Sequence, residues 1–243
     1  MALEEHTLLH VWEQGRQRQP LDRALLLLWA CGEGAAQADE LAQRTIGQRD
    51  AQLLQARIRH FGPLLEATAD CPACAGRMAF SLHLDQLAQQ ARPAAADVCV
   101  DTAAGRFRLP ASVDLALALS QSEPRQALAR GLRVDAGPTA APAHVAHAAH
   151  AALDEAALQS IESALAAADP AAQIDIRLQC DACGQAFDAP LDVADCLWLD
   201  VSRRAQQTLD EVHLLASAYG WSEAEVLAVP PARRQHYLQR VLS

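Results

Sequence analysis

Two Cys-x-x-Cys pairs constrain this chain more than any other feature of its sequence. "CPACAGRMAF" (71–80) and "CDACGQAF" (180–187) stand about a hundred residues apart, and each pair runs at once into residues patterned as a short strand. A tetrahedral zinc ion needs four donors, and one Cys-x-x-Cys turn supplies two. Two such turns close the shell, and there is no third in the chain. Cys71, Cys74, Cys180 and Cys183 are therefore expected to hold one structural zinc ion, about one per chain. Gly184 follows the second pair where the backbone must turn sharply to aim its amides at sulfur.

The separation exceeds the roughly 15 to 20 residues of compact zinc ribbons. Loop entropy grows only with the logarithm of length, so a long insertion with its own elements costs little more than a short one. The competing chemistry is a thiol redox centre, since "CPAC" superficially matches a thioredoxin-type site. That chemistry places the nucleophilic cysteine at a helix N-terminus after a buried strand. Here the first pair reads as following a helical stretch and preceding a strand, the reverse order, and a second pair would have no role. The remaining thiols, Cys31, Cys99 and Cys196, lie in apolar patterns and are expected to be small buried hydrophobes.

Along the chain, residues 1–69 read as a helical segment. Pro20 opens a helix with Leu21, Leu25, Leu28 and Trp29 at helical spacing, and "GQRDAQLLQARIRHFGP" places Leu54, Ile58 and Phe61 on one face before Gly62 and Pro63 end it. Residues 70–190 read as a zinc-ribbon-like core. Its strands are "MAFSLHL" (78–84), a hairpin of "VCV" and "RFRL" across "DTAAG", and "QIDIRLQ" (173–179). Its helices are "PASVDLALALSQSEPRQALARGL", with Ser112 as N-cap, and a later one with Leu158, Ile161 and Leu165 in a stripe. Within it, an Ala/Pro/His-rich insertion (about 134–151) reads as a linker. His144, His147 and His150 recur there at every third residue. On a helix the outer two would lie roughly 120° apart, so the three are read as solvated rather than as a shared ligand set. Residues 191–243 read as a helical tail. A long helix breaks at Gly220 and Trp221, Ser222 and Glu225 form a capping box, and Pro230 and Pro231 separate the last two helices. The fold class expected is α+β, mainly helical, with a discontinuous zinc-ribbon-like small β-sheet between helical ends.

Charge narrows the function. A formal net charge of −10 repels phosphate backbones. The longest apolar run, residues 24–31, falls far short of the roughly 20 residues that span a bilayer. The acidic start "MALEEHTLLH" lacks the basic region of a secretory signal, so an intracellular, cytoplasmic origin is expected. There is no phosphate-binding glycine loop, nucleophile elbow or acid/base constellation, and a closed four-sulfur site leaves no open position for catalysis. An enzyme and a small-molecule substrate are not expected.

The tail, "DEVHLLASAYGWSEAEVLAVPPARRQHYLQRV", resembles the end of phage baseplate proteins of the T-even type, including relatives encoded with phage-tail-like contractile injection systems. Tyr219, Trp221, Ser222, Glu225, Pro231, Arg233, Arg234 and Tyr237 fill the positions of that pattern. "IGQRDAQLLQARIRHFGP" before a Cys-x-x-Cys, and "RFRLPASVDLA", are similar to such relatives as well. Ala75 departs from the glycine usual after the first cysteine pair. The paired cysteines are not shared by all phage members, so the zinc rests on spacing alone. The resemblance implies a structural or assembly role in a baseplate, possible incorporation into a tail particle, and partners among the other baseplate or tail subunits. Trp221, Arg233, Arg234 and Tyr237 are the candidate partner-binding residues, although the two aromatics are read first as packing the tail helices together, with a partner anchor as the alternative. A second reading of the chain is a zinc-ribbon regulator whose tail binds DNA as a helix-turn-helix, for which Arg233, Arg234 and Arg240 supply few cations.

Overall fold

Glycine, proline and capping residues set the boundaries of most elements in the computed structural model, which describes residues 4–32, 37–134 and 153–242. The Ala/Pro/His-rich insertion, with His144, His147 and His150, lies outside the described residues apart from Val134. The described chain runs α1 (Glu5–Gly15), α2 (Pro20–Cys31), α3 (Ala38–Gln43), α4 (Ile46–Phe61), β1 (Leu64–Asp70), β2 (Arg77–His83) and α5 (Leu84–Gln90). It continues through β3 (Cys99–Thr102), β4 (Gly105–Arg108), α6 (Ser112–Leu119), α7 (Pro124–Leu132), α8 (Glu155–Ala168), β5 (Asp175–Gln179) and β6 (Ala186–Pro190). Three helices close it: α9 (Val193–Tyr219), α10 (Glu223–Ala228) and α11 (Pro231–Val241). The protein is thus mainly helical with small antiparallel sheets.

Two compact units emerge, one of residues 1–31 with 194–243, the other of residues 32–193. This grouping differs from the three-segment division along the chain, because α1 and α2 associate with the C-terminal helices. In that first unit, Leu8, Leu9 and Val11 of α1 and Ala24, Leu27 and Leu28 of α2 are buried. The buried stripe of α2 is rotated from the expected one, and Trp29 is exposed. Gly15 accepts the ring of Trp198, where a Cβ would meet ring carbons at 2.5 Å, and Arg23 stacks over that ring at 4.6 Å. Leu215, Val226 and Leu238 form a smaller core joining α9, α10 and α11. Gly220 ends α9 with φ of +70°, and the Ser222 hydroxyl and Glu225 carboxylate exchange bonds with each other's backbone amides.

The second unit departs from expectation at residues 64–70. These are not helical: Gly62 and Pro63 stop α4, and the chain becomes β1, paired with β2 from Leu64↔His83 to Asp70↔Arg77. The seven-residue ladder outweighs the weak helical pattern of "LLEATAD". The β3–β4 hairpin forms as expected, and packs Val100 and Phe107 against Ala129, Leu132, Leu158 and Ile161. Ser112 is not the cap of α6. Ala111 occupies that place, and the Asp114 carboxylate accepts from its N–H at 2.8 Å while Ser112 Oγ accepts from buried Arg49. Asp169, 1% exposed, ends α8 and accepts from the amides of Gly47 at 3.1 Å and Ala94 at 3.1 Å. Gly47 must lack a side chain, since a Cβ would lie 2.0 Å from that carboxylate. Instead of one discontinuous sheet, the described strands make three separate two-stranded sheets.

Candidate metal centre

Two hairpins carry the cysteines, and their tips are built alike. β1 and β2 are joined by residues 71–76, β5 and β6 by residues 180–185. In the first tip the Ala75 N–H donates to the Cys71 carbonyl at 2.8 Å, and the Cys71 N–H donates to the Gly76 carbonyl at 3.0 Å. In the second the Gly184 N–H donates to the Cys180 carbonyl at 2.8 Å, and the Cys180 N–H to the Gln185 carbonyl at 2.9 Å. The correspondence extends to the backbone after the second cysteine. Ala75 has φ of +55° and Gly184 of +73°, and Ala75 is the one non-glycine in that region among the described residues. An L-residue there carries a steric cost of roughly 1–2 kcal/mol.

That pairing gives a reciprocal expectation. Ala75→Gly raises stability by about 1 kcal/mol and Gly184→Ala lowers it by about 1 kcal/mol, read from denaturant midpoints of otherwise identical protein. No heavy atom lies within 4 Å of a Cβ built on Gly184, so the loss would come from backbone strain alone.

Folding brings all four predicted sulfurs together. The Sγ atoms of Cys71, Cys74, Cys180 and Cys183 lie within 4.8 Å of one another. Two approaches cross between hairpins, Cys71 to Cys183 at 3.7 Å and Cys74 to Cys180 at 3.6 Å. These are far longer than a disulfide of about 2.05 Å. Four ligands placed tetrahedrally at about 2.3 Å from a central ion stand roughly 3.8 Å apart, close to these two separations. Cys71 and Cys180 are buried, while Cys74 and Cys183 are exposed, so each tip contributes one residue on the inner and one on the outer side of the cluster.

The electrostatics of the cluster also favour a cation. Backbone amides of Cys74 and Ala73 favour the Cys71 thiolate against burial, and with help from Cys180 and Cys183 lower its pKa to about 7. Further thiolates are resisted. The Gln185 amide favours a charge on Cys183, but Cys74, Cys180, burial and Cys71 together push it up to about 12. At Cys74, support from the Gly76 amide and Cys183 is outweighed by Cys180, Cys71 and burial, so its pKa is raised. Crowded sulfur atoms cannot all ionise unless positive charge sits among them.

Position also argues against redox chemistry. The expected helix before Cys71 is strand β1, so each pair caps a hairpin with a strand on either side. Neither pair sits at the helix N-terminus that thioredoxin-type activation uses. Exposed cross-strand ion pairs, Arg77 with Asp70 at 2.9 Å and Arg177 with Asp188 at 2.7 Å, help fix the register of the two hairpins. Cys31, Cys99 and Cys196 lie outside the cluster and are half-buried, not the fully buried thiols expected.

The tail residues fare differently. Trp221 stacks on Tyr219 at 5.1 Å and meets Tyr237 edge-on at 5.1 Å, so both candidate aromatics pack against their own fold, half-buried. Arg233 is exposed. Arg234 is withdrawn from the surface: its side chain is 0% exposed and bound within the first unit to Glu5 at 2.5 Å and Glu211 at 2.8 Å. Sequence spacing missed both carboxylates, one of which lies 229 residues away. Among the described residues no helix is long and apolar enough to cross a membrane. Comparison with family models, with curated proteins and with solved structures finds no match.

Proposed function

We propose that the four cysteines hold one structural zinc ion, and that the protein is a non-enzymatic structural or assembly component of the baseplate of a contractile tail or phage-tail-like injection system. The observation that carries the metal reading is the cluster of four sulfurs within 4.8 Å of one another, assembled from two matching hairpin tips. Two-stranded hairpins are marginal by themselves in water. These two share no strand pairing, and a common ion would clip them together as the two knuckles of a zinc-ribbon-like centre. Cys74 and Cys183 are exposed, but four sulfurs would fill all four coordination positions, which leaves no position for a substrate. Tetrahedral sulfur also suits iron, and metal analysis distinguishes the two.

The baseplate role rests on the resemblance of the tail to the T-even-type family. Its capping box, proline break and aromatic trio form one packed feature in this chain. The alternative of a DNA-binding regulator draws less support, because Arg234 is withdrawn from any basic face by Glu5 and Glu211. The test is complementation. A strain carrying the contractile machine but lacking this chain should make tubes and sheaths without finished baseplates. The intact chain should restore them and a Cys71→Ser, Cys180→Ser double variant should not. Normal particles in the deletion strain would end the baseplate reading and leave the metal reading standing.

A further inference from the structure

Each cysteine turn pairs a sheltered residue with an open one. Cys71 is 2% exposed and Cys180 3%, whereas Cys74 and Cys183 are exposed. The surroundings of the open pair are open as well. Residues 72–75 and 181–186 are all exposed, and the positions inside the two turns hold only Pro72 and Ala73, Asp181 and Ala182. Susceptibility to oxidation follows thiolate character and access. Zinc supplies the first, because it binds cysteine as the thiolate, and exposure supplies the second.

The two cross-hairpin approaches decide what an oxidised sulfur meets. Cys74 Sγ lies 3.6 Å from that of Cys180, and Cys183 Sγ lies 3.7 Å from that of Cys71. Each approach joins an exposed cysteine of one hairpin to a buried cysteine of the other. A disulfide needs each gap to close to about 2.05 Å, a movement on the scale of small side-chain rotations.

We propose, resting on the zinc reading, that the cluster is a peroxide-responsive switch in which oxidation expels the ion and leaves two cross-hairpin disulfides, Cys74–Cys180 and Cys71–Cys183. The oxidant is a peroxide. At Cys74 and at Cys183 the thiolate attacks a peroxide oxygen, the O–O bond breaks, a sulfenic acid forms, and the departing hydroxide takes a proton to leave as water. The buried thiolate opposite then attacks the sulfenic sulfur, the S–O bond breaks, and a second protonated hydroxide leaves as water. In all, two hydrogen peroxides and four protons convert four thiolates into two disulfides, releasing four waters and the zinc ion. The ion leaves because its ligands are thiolates and none remains. This change is stoichiometric, unlike the turnover of a thioredoxin-type dithiol. Two covalent bonds, between positions 112 and 106 residues apart in the chain, then tie the hairpins in place of the metal.

The test uses the full chain, reduced and metal-loaded as purified, with hydrogen peroxide as oxidant and a chromophoric zinc chelator as reporter. About one zinc per chain should be released, with four thiols lost for each. Tryptic digestion without reduction then reads the bonds. Trypsin leaves Cys71 and Cys74 together on residues 60–77, and Cys180 and Cys183 together on residues 178–203. The expected product is these two peptides joined, with partial reduction and stepwise alkylation placing the bonds at Cys74–Cys180 and Cys71–Cys183. Dithiothreitol with added zinc should restore the starting metal content. Separate peptides that each carry an internal bond would overturn the proposal. So would sulfinic acids in place of disulfides, or zinc retained under peroxide sufficient to oxidise free glutathione. Those three results leave the zinc reading standing. Protein that holds no zinc before peroxide is added would defeat the zinc reading, and the switch with it.

Discussion

Stripping metal from the purified protein with a strong chelator is expected to unfold both cysteine hairpins. Structural zinc in four-thiolate sites contributes on the order of 10 kcal/mol, which rivals the whole stability of an ordinary domain. Little else joins the hairpins, since neither pairs with the other and their cross-strand ion pairs are exposed. Amide hydrogen exchange over residues 64–83 and 175–190 should be slow in the loaded protein and close to the unfolded rate after chelation. Cys180→Ser should reproduce that loss, because a hydroxyl is a poor zinc ligand and Cys180 is one of the two buried sulfurs. Cys31→Ser and Cys99→Ser should leave exchange in the hairpins unaltered, as those thiols stand apart from the cluster. Protection that survives chelation would mean that the hairpins hold without an ion.

The second large effect is expected at Arg234. Its guanidinium is fully buried and neutralises Glu5 and Glu211, while also donating to the carbonyls of Val226 and Val229 at 3.4 Å. Burial works against the charge, but the two carboxylates outweigh it and hold the pKa of Arg234 above its usual value. Arg234→Ala would leave Glu5 with Arg204 alone and Glu211 with the Gln235 amide alone, and would free two carbonyls, at a cost of about 3 kcal/mol. Urea unfolding should show this as a lowered midpoint. Replacing Arg234, Glu5 and Glu211 together by apolar residues should recover much of the loss, since the under-compensated carboxylates then go too. Arg233→Ala, one position away and exposed, should change stability by less than about 0.5 kcal/mol. An assembly defect in an Arg234 variant would therefore report a loosened fold, whereas one in an Arg233 variant would report a contact.

The cysteine cluster was legible because its chemistry is local. Each Cys-x-x-Cys announces half a tetrahedron, and Gly184 announces the turn beside it. The turn at Ala75 was less legible, since alanine gives no sign that its φ is positive; only the matching hairpin shows it. Punctuated elements were equally readable: Pro20, Gly62, Gly220, the Ser222–Glu225 box and Pro230–Pro231 all fall where a helix starts or stops. What escaped depends on partners distant in sequence. β1 is a strand because β2 pairs with it, not because "LLEATAD" demands one. Arg234 reads as a surface cation until Glu5, near the other end of the chain, is beside it. The buried side of α6 carries Ser112 and Asp114, which no hydrophobic pattern would select, because Arg49 and Arg108 reach them from elsewhere.

X-ray absorption at the zinc edge of protein purified without added metal examines the cysteine cluster most directly. The expected spectrum has about one zinc per chain, bound by four sulfurs at about 2.3 Å, with no nitrogen or oxygen in the first shell. A first shell containing nitrogen or oxygen, iron in place of zinc, or a metal-free chain whose hairpins remain folded would contradict the account.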